Sequence, residues 1–105
     1  MDLISLSNKV IAVDFDNTIT YKSKPPITGD VNLKAIEILK YLKNNNKLIL
    51  WTCREDKELE EAVNLCKKYG LEFDSVNDNV DGVYSRKIRA DYYIDDKSVF
   101  PSWIE

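Results

Sequence analysis

The sequence contains no histidine and only two cysteines among its 105 residues. The lack of histidine excludes a Cys/His zinc site and a histidine general base. Cys53 and Cys66 have no metal-ligand or redox spacing, so we expect two reduced thiols. No apolar stretch approaches the roughly 20 residues of a membrane span, and no basic region followed by an apolar run opens the chain. We therefore expect no transmembrane segment, no signal peptide and, by default, a cytoplasmic location.

The chain also lacks a strong charge of one sign. Its formal net charge of −3 gives no electrostatic case for a nucleic-acid binder, although it does not exclude nucleic acid as a substrate. Hydrophobic residues make up 44% and charged residues 31% of the chain, which is typical of a globular protein. The sequence shows no repeat or low-complexity tract. We expect one domain over residues 1–105.

The most informative feature present is an apolar run that ends in two closely spaced carboxylates. Val10–Val13 are typical of a strand that is buried on both faces, and Asp14 and Asp16 follow directly. Ligand sites of open α/β sheets lie beyond the carboxyl ends of such strands. Two carboxylates beside a buried sheet repel each other and lose hydration, so a divalent metal is their natural partner.

Two further segments resemble this run. Tyr92–Ile94 form a short apolar strand that leads into Asp95 and Asp96, and Lys47–Thr52 form another strand that ends in a hydroxyl. If all of these strands are parallel, their polar ends meet at one edge of the sheet. The pattern alone therefore predicts a metal and phosphate site at that edge.

Helices are predicted between the strands. Apolar residues at offsets of three and four predict helices over about 32–43 and 55–69, and Gly70 stands where a helix C-terminal glycine belongs. Residues 20–30 read as a loop or small hairpin, and a further strand is expected near 72–76. The predicted fold class is α/β, a small doubly wound, Rossmann-like parallel sheet of about four strands flanked by helices.

These polar residues, taken in order, resemble the four signature motifs of the haloacid dehalogenase superfamily of phosphotransferases. The motifs are Asp14–Thr18, Thr52, Lys87 and Asp95–Asp96, and they span nearly the whole chain. The resemblance implies the strand order 4-1-2-3, in which the first and last strands are neighbours. It also implies a phosphatase of the capless type, because the sequence has room only for a flap, which we define as residues 20–28.

The resemblance assigns a role to each motif. It implies that Asp14 is the nucleophile of an aspartyl-phosphate intermediate and that Asp16 is the general acid and then the general base. It implies a Mg²⁺ ion held by Asp14, the backbone carbonyl of Asp16, and Asp95, with Asp96 as a direct, water-mediated or supporting ligand. Thr52 and Lys87 would then bind the phosphate oxygens, and Arg54 would contact substrate.

Several of these residues have alternative interpretations. Thr52 and Glu55 also fit a helix capping box, and Arg54 equally fits a solvated arginine at a helix start. Arg89 competes with Lys87 for the phosphate-binding role, since both share a face of an extended segment.

Two residues near Asp14 also need interpretation. Asn17 stands where the family usually has glycine, but asparagine tolerates the positive φ that the turn requires. Thr18 is expected to brace the loop after Asp14 as a structural hydroxyl rather than take part in the chemistry.

Two other functional classes compete with a phosphatase. A receiver-like phosphoacceptor domain combines the same residue types, but there the acidic pair follows the first strand, whereas here it comes last. A catalytically silent module of the same fold is the other alternative. Because the flap is small and charged, we expect a phosphorylated substrate that is bulky or macromolecular, or else a second subunit over the site. The sequence specifies neither the physiological substrate nor the oligomeric state.

Overall fold

In a computed structural model, which describes residues 5–24 and 27–95, the chain forms a parallel sheet flanked by two helices. The fold is therefore the small Rossmann-like α/β class that the sequence predicted. The elements in chain order are β1 (Val10–Val13), β2 (Thr20–Tyr21), β3 (Asp30–Val31), α1 (Leu33–Lys43), β4 (Lys47–Leu50), α2 (Asp56–Lys68), β5 (Ser75–Val76) and β6 (Tyr92–Ile94).

The main sheet has four parallel strands in the order β5-β4-β1-β6. This order confirms the predicted arrangement, in which the first and last strands are neighbours. Val13 of β1 pairs with Leu50 of β4 on one side and with Ile94 of β6 on the other. The register therefore brings the residues that follow β1, β4 and β6 to the same edge.

The core lies between the sheet and the helices. One cluster of buried residues joins Ile11 and Val13 of β1 and Leu48 and Leu50 of β4 with residues from both helices. Its helical members are Ala35, Ile36, Leu39, Leu42, Ala62 and Cys66. Ala12 and Ile49, which by strand alternation point to the opposite face, are also fully buried. Both faces of the central strands are thus covered, as the continuous apolar runs predicted.

The helix boundaries agree with the sequence pattern to within about one residue. Asn32 caps α1, because its side-chain oxygen accepts the N–H of Ala35 at 3.1 Å. Gly70 follows α2 with φ +82°, as expected for a helix C-terminal glycine. The predicted Thr52–Glu55 capping box is wrong: Glu55 is itself the N-cap of α2, and its side chain makes no capping hydrogen bond.

The flap forms part of a small hairpin. Thr20 and Tyr21 of β2 pair antiparallel with Val31 and Asp30 of β3, which confirms the hairpin interpretation of this segment. Gly29 is required between them, because a Cβ atom there would lie 1.7 Å from the carbonyl oxygen of Tyr21. Within the described residues, no other unit is inserted between the elements of the main sheet. The same part of the chain holds no helix long and apolar enough to cross a bilayer.

Candidate functional site

Three of the predicted site residues follow neighbouring strands at one edge of the sheet. The N–H of Asp14 donates to the carbonyl of Ile94 at 2.9 Å, which continues the pairing of β1 with β6 and brings Asp14 beside Asp95. On the other side of β1, the N–H of Trp51 donates to the carbonyl of Val13 at 2.9 Å. Thr52, two residues beyond the end of β4, therefore lies at the same edge of the sheet as Asp14. The structure brings Asp14, Thr52 and Asp95 together as the strand pattern predicted.

The turn after Asp14 is fixed by its neighbours on both sides. Phe15 is fully buried, and its carbonyl accepts the N–H of Ile19 at 2.9 Å. Asn17 has φ +64°, so the turn has the left-handed residue that the sequence predicted at the usual glycine position. Asp14 and Asp16, on either side of Phe15, stay partly exposed. The chain therefore anchors an apolar ring in the core and keeps both carboxylates accessible.

Thr18 does not have the role expected of it. Its side chain is fully buried, and its hydroxyl has no hydrogen-bond partner among the residues that the structure describes. The side chain of Asn17 binds the backbone of Ser23 instead, accepting its N–H at 2.8 Å and donating to its carbonyl at 3.2 Å. The expectation that the Thr18 hydroxyl braces the loop is wrong, because the amide of Asn17 does so.

The flap is attached at its base by a set of short polar side chains. The hydroxyl of Thr20 accepts the N–H of Asn17 at 3.1 Å and shares a hydrogen bond with the hydroxyl of Ser23. The Ser23 hydroxyl also accepts the N–H of Gly29 at 2.9 Å. This network was not predicted from the sequence, in which its one signal is Asn17, because asparagine has a side-chain amide and glycine has none.

Asp16 forms a buried ion pair with Arg54, which lies 38 residues further along the chain. Nε of Arg54 donates to Oδ2 of Asp16 at 2.8 Å, and Nη2 donates to Oδ1 at 2.7 Å. The Arg54 and Asp16 side chains are only 3% and 14% exposed. The guanidinium carbon also lies 4.9 Å from the centroid of the Phe15 ring, a cation–π contact.

This pairing changes the interpretation of Arg54. The alternative of a solvated arginine is wrong, because the planar fork of the guanidinium matches both oxygens of Asp16 and the residue is buried. In the structure the guanidinium of Arg54 contacts Asp16, Thr28 and the carbonyl of Glu58, and its contact with substrate stays a prediction. The hydrogen bond with Asp16 raises the pKa of Arg54 above its usual value, although burial acts in the opposite direction. Arg54 is therefore a permanent positive charge beside Asp16.

Arg54 also reaches the flap and helix α2. Its Nη2 donates to Oγ1 of Thr28 at 3.0 Å, and the Thr28 hydroxyl donates to Oε1 of Glu61 at 2.7 Å. Nη1 lies 3.4 Å from the carbonyl oxygen of Glu58. One buried side chain thus connects Asp16, the flap and the first turns of α2.

Thr52 is held at its backbone by a residue from the next strand. Its N–H donates to Oδ1 of Asn77 at 2.8 Å, and its hydroxyl accepts the N–H of Arg54 at 3.2 Å. No residue in the described part of the chain accepts a hydrogen bond from the Thr52 O–H, so this proton is available to an anion. Asn77 therefore helps to fix the backbone of Thr52.

The two candidate cations after β5 are placed differently. Both Asp81 oxygens accept hydrogen bonds from Nη2 of Arg89, at 3.0 and 2.8 Å, so Arg89 is engaged away from the strand ends. Lys87 instead places its ammonium 4.8 Å from the centroid of the Tyr93 ring in β6. Tyr93 in turn contacts Trp51 edge-on, with ring centroids 5.4 Å apart. Lys87 thus lies against β6, whereas Arg89 is paired with Asp81, and the assignment of Lys87 as the phosphate-binding cation stays a prediction.

The loop that carries these cations is ordered by one buried amide. Nδ2 of Asn79 donates to the carbonyl of Val83 and the hydroxyl of Ser85, both at 2.7 Å, and Oδ1 accepts the N–H of Arg89 at 2.6 Å. Asn79 is only 3% exposed. It therefore anchors the loop from the interior.

The donor chemistry of the site fits a hard divalent cation. Asp14 and Asp95 lie side by side and supply carboxylate oxygens, which Mg²⁺ prefers, and this ion commonly takes only one or two protein carboxylates. Each side-chain oxygen of Asp16 accepts a hydrogen bond from Arg54, and the resemblance implies that Asp16 would contribute its backbone carbonyl to the ion. Within residues 5–24 and 27–95, no three acidic or cysteine side chains form a metal-binding group. Asp96, the fourth predicted ligand, lies outside the described residues.

Comparisons with known proteins give one informative match. No family model and no curated protein matches the chain. A solved structure, described as that of a conserved protein from Bacteroides thetaiotaomicron, is 40% identical to it with a TM-score of 0.83. The match covers 92% of this chain and 84% of that one. The similarity therefore extends over nearly the whole chain.

Proposed function

The chain belongs to the same family as that Bacteroides thetaiotaomicron protein, and from the site of this chain we propose that it is a magnesium-dependent phosphatase of the capless haloacid dehalogenase type. The observation that carries the proposal is the meeting of Asp14, Thr52 and Asp95 at one edge of the sheet. Two carboxylates there offer metal ligands and a nucleophile, and the hydroxyl offers a donor to a phosphate oxygen.

In the proposed reaction, Asp14 is the nucleophile. A carboxylate oxygen of Asp14 forms a bond to phosphorus while the bond between phosphorus and the leaving-group oxygen breaks, which gives an aspartyl-phosphate and an alcohol. Water then attacks the phosphorus, and inorganic phosphate leaves with Asp14 restored. The buried Phe15 and the hydrogen bond of Asp14 to Ile94 hold this nucleophile on a rigid segment, which favours an in-line geometry.

Asp16 is the proposed general acid and base. In this role a protonated Asp16 gives its proton to the leaving-group oxygen in the first step, and the resulting carboxylate takes a proton from the attacking water in the second, which restores the acid. Each of its oxygens accepts one bond from Arg54, and a carboxylate oxygen retains a second acceptor position. The ion pair therefore fixes the orientation of the carboxylate without occupying all of its proton-binding positions.

The other groups bind the phosphate. The Thr52 hydroxyl donates a hydrogen bond to a phosphate oxygen, and the positive charge of Lys87 stabilises the same phosphate group. Asp14, the backbone carbonyl of Asp16 and Asp95 would hold Mg²⁺, with Asp96 in the role that the resemblance implies. When bound, Mg²⁺ neutralises charge on the phosphoryl oxygens.

The proposal extends to the substrate and the location. The flap is short, so few groups are available to enclose a small metabolite, and a bulky or macromolecular phosphoester suits the site better. We include a cytoplasmic location, because Cys53 and Cys66 are both unpaired thiols, as expected in a reducing compartment.

The test is a screen of phosphoesters with and without Mg²⁺, run on the wild type and on Asp14→Asn. We expect Mg²⁺-dependent release of phosphate by the wild type and none by the variant. Glu60→Gln, which removes an exposed carboxylate from α2, is the matched control and should keep wild-type rates. Equal rates in the wild type and Asp14→Asn would refute the proposal, and a wild type inactive on every ester would favour the catalytically silent alternative.

A further inference from the structure

One nitrogen of Arg54 contacts both Asp16, the proposed general acid and base, and Thr28 of the flap. Its Nη2 lies 2.7 Å from Oδ1 of Asp16 and 3.0 Å from Oγ1 of Thr28. Because a guanidinium is planar, a displacement at one of these acceptors turns the fork at the other. The orientation of Asp16 and the position of the flap are therefore not independent.

Among these contacts, the hydroxyl of Thr28 is the group that a substitution can remove with the least effect on the core. It accepts from Arg54 and donates to Glu61, so its proton is committed to Glu61 and its lone pair to Arg54. The side chains of Arg54 and Asp16 are only 3% and 14% exposed, whereas Thr28 is partly exposed. A substitution at Thr28 thus alters the connection without opening the core.

The flap has a second attachment that does not involve Arg54. Asn17, Thr20 and Ser23 hold its base through hydrogen bonds among themselves and with Gly29. Loss of the Thr28 contact should therefore leave the hairpin folded and release only the end that faces Arg54. This separation makes the coupling measurable.

We propose that Thr28 is a positioning residue for Asp16: by holding the guanidinium of Arg54, it couples the position of the Thr28 end of the flap to the orientation of the Asp16 carboxylate. The kinetic consequence depends on the proposed phosphatase function, whereas the coupling between flap and carboxylate does not. A substrate that lifts the flap loosens Asp16, and one that leaves the flap seated meets a fixed acid and base. The shape of the substrate thus affects how well Asp16 is oriented for proton transfer.

The kinetic test compares Thr28→Val, which has the shape of threonine without the hydroxyl, with Thr28→Ser, which restores the hydroxyl. A poor leaving group such as an alkyl phosphate needs protonation by Asp16, and p-nitrophenyl phosphate needs little. We expect Thr28→Val to lower kcat for the alkyl phosphate about fivefold, the value of a hydrogen bond of about 1 kcal/mol. The KM and the rate with p-nitrophenyl phosphate should change little.

Controls separate this role from a general effect on the flap. Thr28→Ser should restore the alkyl phosphate rate, and Ile27→Val, at an exposed neighbour in the same flap, should behave as wild type. An equal loss on both substrates in Thr28→Val, or no loss on either, would overturn the proposed kinetic role of Thr28. These outcomes are read against wild-type turnover, so they are distinct from a failure of the phosphatase proposal.

The structural test needs no activity. The N–H groups of Lys24 and Ile27 bind each other's carbonyls at 3.1 and 2.8 Å, and their hydrogen exchange reports the seating of the flap. We expect about fivefold faster exchange in Thr28→Val and also in Asp16→Asn, and no further gain in the double variant. Unchanged exchange in Asp16→Asn, or independent and additive effects, would refute the coupling between the flap and Asp16.

Discussion

Replacing Arg54 by methionine should show how much the buried ion pair of Arg54 and Asp16 contributes to the free energy of unfolding. Methionine keeps much of the aliphatic volume and can still contact the Phe15 ring, but it removes the charge and every donor. The variant therefore leaves the carboxylate of Asp16 without its bidentate partner and the hydroxyl of Thr28 without a donor.

The burial of the pair sets the magnitude. Removing one partner of a fully buried ion pair costs about 3–5 kcal/mol. The Arg54 side chain is 3% exposed but that of Asp16 is 14% exposed, so water can partly rehydrate the stranded carboxylate and lower the cost. We expect Arg54→Met to reduce the free energy of unfolding by about 2–3 kcal/mol, a large share of the ~5–15 kcal/mol of a typical domain.

Urea unfolding followed by tryptophan fluorescence measures this loss. With a slope of about 1.5 kcal/mol per molar urea for a chain of this size, the midpoint should fall by about 1.3–2 M. In Arg54→Met/Asp16→Asn the stranded charge is gone, so the double variant should be more stable than the sum of the single losses predicts, by at least ~1 kcal/mol. A loss below about 0.5 kcal/mol in Arg54→Met, or strict additivity, would refute this reasoning about the ion pair.

Three further predictions follow from particular contacts. Burial raises the pKa of the Cys66 thiol to about 12 from 9.0, so the contribution of this thiol to stability is complete below pH 9 and is lost as the pH rises towards 12. Between pH 8 and 10 the free energy of unfolding of the wild type should therefore fall by about 1.4 kcal/mol more than that of Cys66→Ala, and equal losses would contradict the shift. Gly29→Ala should disrupt the hairpin, because the new Cβ meets the carbonyl of Tyr21 at 1.7 Å; wild-type amide exchange across β2 and β3 would contradict that. Lys87→Met should lower kcat/KM about 100-fold and Arg89→Met much less, and the reverse order would move the phosphate-binding role to Arg89.

Much of the fold could be predicted from sequence because its signals are local. Val10–Val13 read as a doubly buried strand, and the structure covers both faces of that strand. Gly70 and Asn17 each predicted a left-handed residue, and both have positive φ. The order of the strands came from the family resemblance, since periodicity does not specify which strands are neighbours.

The contacts inside the site could not be predicted in the same way. The pairing of Asp16 with Arg54 joins residues that are 38 positions apart, and no sequence pattern indicates which carboxylate an arginine will face. Thr52 and Glu55 matched a capping box, but α2 begins only at Asp56. The hydroxyl of Thr52 therefore accepts the N–H of Arg54, which precedes the helix, and does not cap α2. Local patterns predict elements, whereas long-range polar pairs depend on how those elements pack.

The most direct test of the central claim is to locate the phosphate on the trapped protein. Asp16→Asn should form the aspartyl-phosphate from p-nitrophenyl phosphate, because this leaving group needs little protonation, but it should hydrolyse the intermediate slowly without a base. Mass spectrometry of the acid-quenched variant, with Asp14→Asn/Asp16→Asn as control, should find one phosphate on Asp14 and none in the control. Phosphate on Asp95 or on any other residue, or equal labelling of the control, would contradict the assignment of Asp14 as the nucleophile.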